Sequence, residues 1–361
     1  MNRTIMDRFD PRANSLNAIR LILALLVIVA HSWPIGGWGA APEWFGRDLG
    51  NTAVAGFFAL SGYLITASRL SSSSVKDYFW RRALRIYPAY ITVLVLVALV
   101  AAPLSLAIGG GGPYSWWAGA RYIAGNITLY VNQWGIRGTL TDAPYPSVWN
   151  GSIWTLWFEA MCYVAIGVGV SLVSRRLLVP CVSAWLVLAG SYTIAHEATG
   201  FEVHAMLTFF SMVSVYFAAG SILFLLRARI PLTATWAAAA SVVTVGAVVT
   251  GVFPLLGALP FAYLMMYLGV TLPLRKIGRR NDFSYGVYIY AMPIQQLLVV
   301  AVDWTRFPIG VYVATSVAAT APFAVASWFL VEKPAMLLKR LTAPAKRDID
   351  RLDAPVSSET S

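Results

Sequence analysis

The chain reads as a succession of apolar stretches separated by charged or turn-forming residues. A helix that crosses a bilayer takes roughly 20 mainly apolar residues. Ten stretches approach that length, at residues 16–35, 52–68, 86–108, 152–174, 177–195, 203–226, 234–251, 253–273, 283–302 and 309–331. The pattern predicts an all-α fold, a polytopic transmembrane bundle of about ten helices within residues 1–340. A polar tail at 341–361, with Pro and mixed charges, is expected to be disordered. The first stretch is longer than an ordinary signal-peptide core and contains Arg20 and His31, so it reads as a retained helix.

Composition agrees with a membrane class. Of the 361 residues, 58% are hydrophobic and 12% charged, whereas soluble domains carry about 25% charged residues. The mean hydropathy of +0.66 leaves more apolar surface than a soluble fold can hide. A net charge of +11 could mark either nucleic-acid binding or membrane topology, and the placement of the cations decides. With the N-terminus in the cytoplasm, 23 of the 27 Lys and Arg fall inside, and only Arg47, Arg121, Arg137 and Arg306 fall outside. Both termini are therefore expected in the cytoplasm, with the lipid bilayer and no nucleic acid as partner. Cys162 and Cys181 lie in separate spans and suggest neither a disulfide framework nor a metal motif.

Function has to come from the polar residues that the bilayer tolerates. A charged side chain at a helix centre costs at least ~2.5 kcal/mol on insertion scales, so such residues point to functional sites. Three stand out: Arg20, His31 and Glu159. Eleven residues at 100° each close to within about 20° of three turns and rise roughly 16 Å, so Arg20 and His31 share one face at different depths. The plainer alternative is an interfacial His31 beside Trp33 and Pro34, with Arg20 snorkelling to head groups. Glu159 lies two turns into its helix among Trp154 and Trp157, where it either pairs with an intramembrane cation or does chemistry. Arg82 and Arg85 form an i, i+3 pair that could close on one phosphate-bearing ligand or could simply fix topology. The aromatic residues of 109–151 suit either sugar faces or an interfacial anchor.

Six pieces in order give the chain a resemblance to the acyltransferase-3 family, the OafA-like integral membrane acyltransferases of bacteria. They are Arg20 with His31; Gly56-Phe57-Phe58-Ala59-Leu60-Ser61-Gly62-Tyr63-Leu64-Ile65; Arg82 and Arg85 followed by Ile86-Tyr87-Pro88; the stretch from Ser152 to Glu159; Phe283-Ser284-Tyr285-Gly286-Val287-Tyr288-Ile289-Tyr290; and Glu332-Lys333-Pro334. The resemblance implies a multi-pass protein of the bacterial inner membrane. It implies transfer of an acyl group, commonly acetyl, from cytoplasmic acyl-CoA (acetyl-CoA) to a hydroxyl of an extracytoplasmic surface carbohydrate or lipid-linked glycan, such as O-antigen or exopolysaccharide. Carried over by position, His31 would be catalytic with Arg20 as its motif partner, and Arg82 with Arg85 would bind the donor. Chemistry then suggests His31 as general base, its ring oriented by Glu159 or a nearby hydroxyl, with no metal. Ala291 stands where many relatives carry a histidine, so no catalytic histidine is assigned to the ninth span. A polysaccharide or lipid transporter is the competing class, but the inverted repeats expected of one are not visible. A catalytically dead relative acting as a partner is a third, disfavoured by the presence of both Arg20 and His31.

Overall fold

The computed structural model describes residues 3–44 and 47–342. The expected tail lies, from residue 343 on, outside the described residues. Helical elements occupy all ten apolar stretches: α1 (Leu16–Gly36), α2 (Leu49–Ser71), α3 (Val75–Leu96), α4 (Trp154–Leu172), α5 (Arg175–Thr199), α6 (Ala205–Leu225), α7 (Ala234–Val249), α8 (Ala258–Thr271), α9 (Ser284–Ala301) and α10 (Ile309–Ser327). Single π-helical turns extend α3 through Val97–Ala101, open α8 at Phe253–Gly257 and continue α10 through Trp328–Glu332. Beside the helices there is one two-residue hairpin, Glu43–Trp44 against Arg47–Asp48.

Among the described residues, eight helices are long and apolar enough to cross a membrane. The other two fall short for different reasons. α7 has only 16 residues. α9 has 18, but it carries Ser284, Tyr285, Tyr288, Tyr290, Gln295 and Gln296, and its first thirteen residues are all buried by protein. A helix screened from lipid on every side need not be apolar, provided its polar groups find partners. Those of α9 do. Gln295 Nε2 donates to the Ile28 carbonyl at 3.1 Å and to Ser32 Oγ at 3.0 Å, both on α1. Gln296 Nε2 donates to the Tyr145 and Val148 carbonyls, each at 2.8 Å, and so ties α9 to the long segment between α3 and α4.

That segment folds over one end of the bundle. It holds a short helix, Trp116–Asn126, and an irregular stretch organised by Asn126, whose Oδ1 accepts from the amides of Asn132 and Gln133. Its aromatic residues divide: Trp116 and Trp117 are exposed, whereas Tyr122 and Trp149 are fully buried.

The closest helix crossing explains part of the Gly-Phe-Phe motif. A Cβ at Gly62 of α2 would overlap the Phe217 carbonyl of α6, and one at Gly220 of α6 would overlap the Ala59 carbonyl of α2. Small residues bring membrane helices together because packing, rather than apolar burial, drives their association. Gly62→Leu is expected to destabilise the fold by about 3 kcal/mol or more and to yield aggregated protein. A monodisperse size-exclusion profile in detergent with an unchanged melting temperature would count against this packing.

Candidate active site

The first helix positions two functional groups. Arg20 lines a small cavity of about 50 Å³ together with Ser61, Leu156 and Glu159. His31 lines a larger one of about 530 Å³ with Trp154, Trp157 and Phe158. Both cavities are walled by α4, so Arg20 and His31 border it at two different levels.

At the end of the bundle opposite the folded-over segment, four charged groups from distant parts of the chain meet. Asp282 Oδ2 accepts from Arg20 at 2.9 Å and from Arg85 at 2.7 Å, and Arg85 also donates to Glu332 Oε2 at 3.2 Å. The carboxylates are held in turn: Ser284 Oγ donates to Asp282 Oδ1 at 2.6 Å, and Ser327 Oγ to Glu332 Oε1 at 3.1 Å. Burial pushes the Asp282 carboxyl up, but the Arg20 and Arg85 guanidiniums and the hydrogen bonds of Ser284 pull harder and hold it at about 2. The Arg85 guanidinium also lies 5.6 Å from the Tyr285 ring centroid, and Tyr285 hydroxyl donates to the Ile86 carbonyl at 2.9 Å. The sequence pieces around Arg20, Arg85, Phe283 and Glu332 are thus parts of a single knot.

Arg85 is engaged by two carboxylates. Arg82 lies within electrostatic reach of Tyr78, Tyr163 and Lys339, and Arg85 shares the last two of these neighbours. The buried Nε of Arg82 has no hydrogen-bond partner among the described residues. Lys339, beyond the last span, is drawn down to about 8 by burial and by the neighbouring charges of Arg82, Arg85 and Arg81. Together these cations leave a positive field at this mouth of the bundle.

Between the two ends, Glu159 accepts from Ser61 Oγ at 2.9 Å and from the Tyr163 hydroxyl. The expectation that Glu159 orients the His31 ring does not match these contacts, because the carboxylate is turned towards α2 and its own helix. A parallel pair lies one turn earlier, where Thr155 Oγ1 and the Tyr288 hydroxyl meet at 2.7 Å and Tyr288 donates to the Ser152 carbonyl at 2.6 Å. Ser61, Thr155, Glu159 and Tyr288 line the smaller cavity.

The larger cavity opens beneath the folded-over segment, which contributes Tyr130, Trp134 and Tyr145 to its wall. His31 Nδ1 and Trp157 Nε1 are buried there without hydrogen-bond partners among the described residues. Unsatisfied buried polar atoms are uncommon and mark a place where water or a ligand supplies the missing partner. Reasoning from sequence missed His204, which lines the same cavity at the start of α6, its Nδ1 accepting from the Met206 amide at 3.2 Å. It missed Asp282, Ser61 and Tyr163 as well. A helix-starting histidine and an acidic residue just before a span were the available signals.

A family model described as an acyltransferase domain matches residues 13–331. The chain belongs to this acyltransferase family. It is accordingly an enzyme, a multi-pass membrane acyltransferase. It is similar to a protein of Shigella phage Sf6 named O-acetyl transferase, at 26% identity over 89% of this chain and 96% of the relative. It is also similar to Nodulation protein 10 of Rhizobium leguminosarum bv. viciae, at 27% identity over 90% of this chain and 94% of the relative. No solved structure matches.

Proposed function

We propose that this acyltransferase moves an acetyl group from cytoplasmic acetyl-CoA to a hydroxyl of a carbohydrate on the outer side of the bacterial inner membrane. The observation that carries the reading is the order of three sites along the bundle. A cation-rich mouth lies at one end, a polar constriction in the middle, and an aromatic cavity at the other end with an unpartnered imidazole nitrogen. The distribution of Lys and Arg along the sequence supports a cytoplasmic position for the cation-rich mouth and for both termini. The relative named O-acetyl transferase supports oxygen as the acceptor atom and acetyl as the group.

The chemistry follows from the residue types. Arg82 and Lys339 hold phosphate groups of the donor, while Arg85 and Arg20 keep the knot in register through Asp282. The thioester reaches along the constriction lined by Ser61, Glu159 and Tyr288. In the outer cavity His31 takes the proton of the acceptor hydroxyl as its oxygen attacks the thioester carbon. The carbon–sulfur bond then breaks, the acyl ester forms, and the coenzyme A thiolate leaves to be protonated on the cytoplasmic side. Aromatic walls stack on sugar faces and exclude water, which would otherwise hydrolyse the thioester.

The test is a proteoliposome with the purified protein in one orientation, labelled acetyl-CoA on the side of the cation-rich mouth and membrane glycan on the other. Label is expected on the glycan; movement of unmodified glycan without label would replace the reading with transport. The mouth makes a further expectation. As pH rises through about 8 the free protein loses the Lys339 proton, so anion binding weakens and the KM for acetyl-CoA should climb severalfold between pH 7 and 9. Lys339→Met should flatten that rise, and an unaltered profile in the variant would remove Lys339 from donor binding.

A further inference from the structure

A second cavity adjoins the one that holds His31, at the same end of the bundle. It encloses about 400 Å³ and is walled by the start of α2, the last turns of α5 and α7, and the middle of α6. Trp154 lines both cavities, so the two are neighbours across one indole ring. Their chemistry differs: the first is chiefly aromatic, whereas the second carries Glu43, Arg47, Asp48, Asn51 and Glu197.

Those groups are held in place. Arg47 NH2 donates to the two Glu197 carboxylate oxygens at 3.3 and 3.2 Å, which ties the hairpin to the end of α5. The same guanidinium lies 4.8 Å from the Phe253 ring centroid. Asp48 Oδ1 caps α2 by accepting the Asn51 amide at 2.9 Å. The Asn51 side-chain amide makes no hydrogen bond to the described residues and is exposed in the cavity wall. With Arg47 committed to Glu197, the remaining carboxylates of Glu43 and Asp48 give the cavity a negative balance. Phosphate or carboxylate ligands are repelled there, while hydroxyl and amine donors find acceptors. An aromatic wall on one side with fixed acceptors on the other matches a pyranose, which offers an apolar face and a ring of hydroxyls.

We infer that the acceptor is an oligosaccharide bound across both cavities. One sugar is acylated beside His31, and an adjacent neutral or amino sugar is held between Trp154 and the Asp48–Asn51 edge. This rests on the carbohydrate-acceptor reading above and adds to it a minimum acceptor length of two rings for full affinity. It also adds discrimination against an acidic sugar at the second position.

The test uses the full chain in proteoliposomes with labelled acetyl-CoA. The acceptor is the surface glycan of the cell that carries the gene, partially hydrolysed and fractionated into mono-, di- and tetrasaccharides. Asn51→Leu, which removes a hydrogen-bonding partner of the second sugar, and Asp48→Asn, which keeps the helix cap but removes the charge, are each expected to raise KM for the di- and tetrasaccharides about fivefold, the loss of roughly one hydrogen bond. Their kcat and their kinetics on the monosaccharide should stay at wild-type values, which also certifies that the variants are folded. Equal KM values for variant and wild type at every length, or a rise shared by the monosaccharide, overturns the second sugar site alone. A wild-type protein that acetylates none of the fractions overturns the carbohydrate-acceptor reading, and this inference with it.

Discussion

His31→Ala is expected to lower acetyl transfer by about 10²–10⁴-fold, the range contributed by a positioned general base, while leaving the protein inserted and folded. The second half of that expectation is what separates catalysis from structure. The His31 Nδ1 makes no hydrogen bond to the described residues, and the ring borders a cavity rather than a packed interface. Truncating it removes no hydrogen bond from that nitrogen to the described residues. The measurement pairs initial rates of labelled acetyl transfer with a thermal unfolding curve in detergent. Rates near wild type in a variant with an unchanged melting temperature would remove His31 from the reaction, and His204, on the same cavity, would become the next base to examine.

Asp282→Ala should produce the largest loss of stability of any single charge removal. Its Oδ2 is shared by Arg20 and Arg85, so deleting it strips two guanidiniums at once. Arg85 keeps Glu332, but Arg20 has no second carboxylate in the knot. Arg20 and Arg85 are part-buried, with side chains 25% and 16% exposed, so leaving them short of a partner costs less than for a fully buried charge, about 2–3 kcal/mol. The sign of the pH dependence follows from the lowered pKa. A carboxyl held at about 2, below its ordinary value of 3.8, contributes stability that is fully present above that ordinary value and is lost as pH falls through about 2. The wild-type melting temperature should therefore show no pH dependence from the Asp282 carboxyl between pH 8 and 5, where its stabilisation is fully present, whereas the variant should melt lower throughout. An unchanged melting temperature in Asp282→Ala would mean that the knot is ornamental.

Much of the architecture was legible because a bilayer enforces it. Each of the ten apolar stretches is helical, since backbone groups in lipid must bond within their own segment, and eight helices among the described residues are long and apolar enough to cross a membrane. The stretch that became α9 was read as a span, but its burial was not legible, because the partners that cover its glutamines and tyrosines are not named by sequence periodicity. In the site, the shared face of Arg20 and His31 could be read from helix geometry alone. The partner of Arg20 could not, because Asp282 lies 262 residues away and only the tertiary fold brings it near. Arg82 and Arg85 show the limit most clearly. An i, i+3 spacing places two arginines on neighbouring parts of a helix surface, but which one meets a carboxylate depends on what the last helix delivers.

The four-charge knot also bears on how the chain is made. Arg20 enters the membrane with the first helix, and Arg85 follows early, yet their anions arrive at positions 282 and 332, near the end of translation. For most of synthesis two buried-to-be cations wait without counter-ions, so the early helices cannot settle into their final arrangement. A ribosome stalled before Glu332 would release an inserted but unlocked bundle, open to quality-control proteases. The closing helix acts as the clasp.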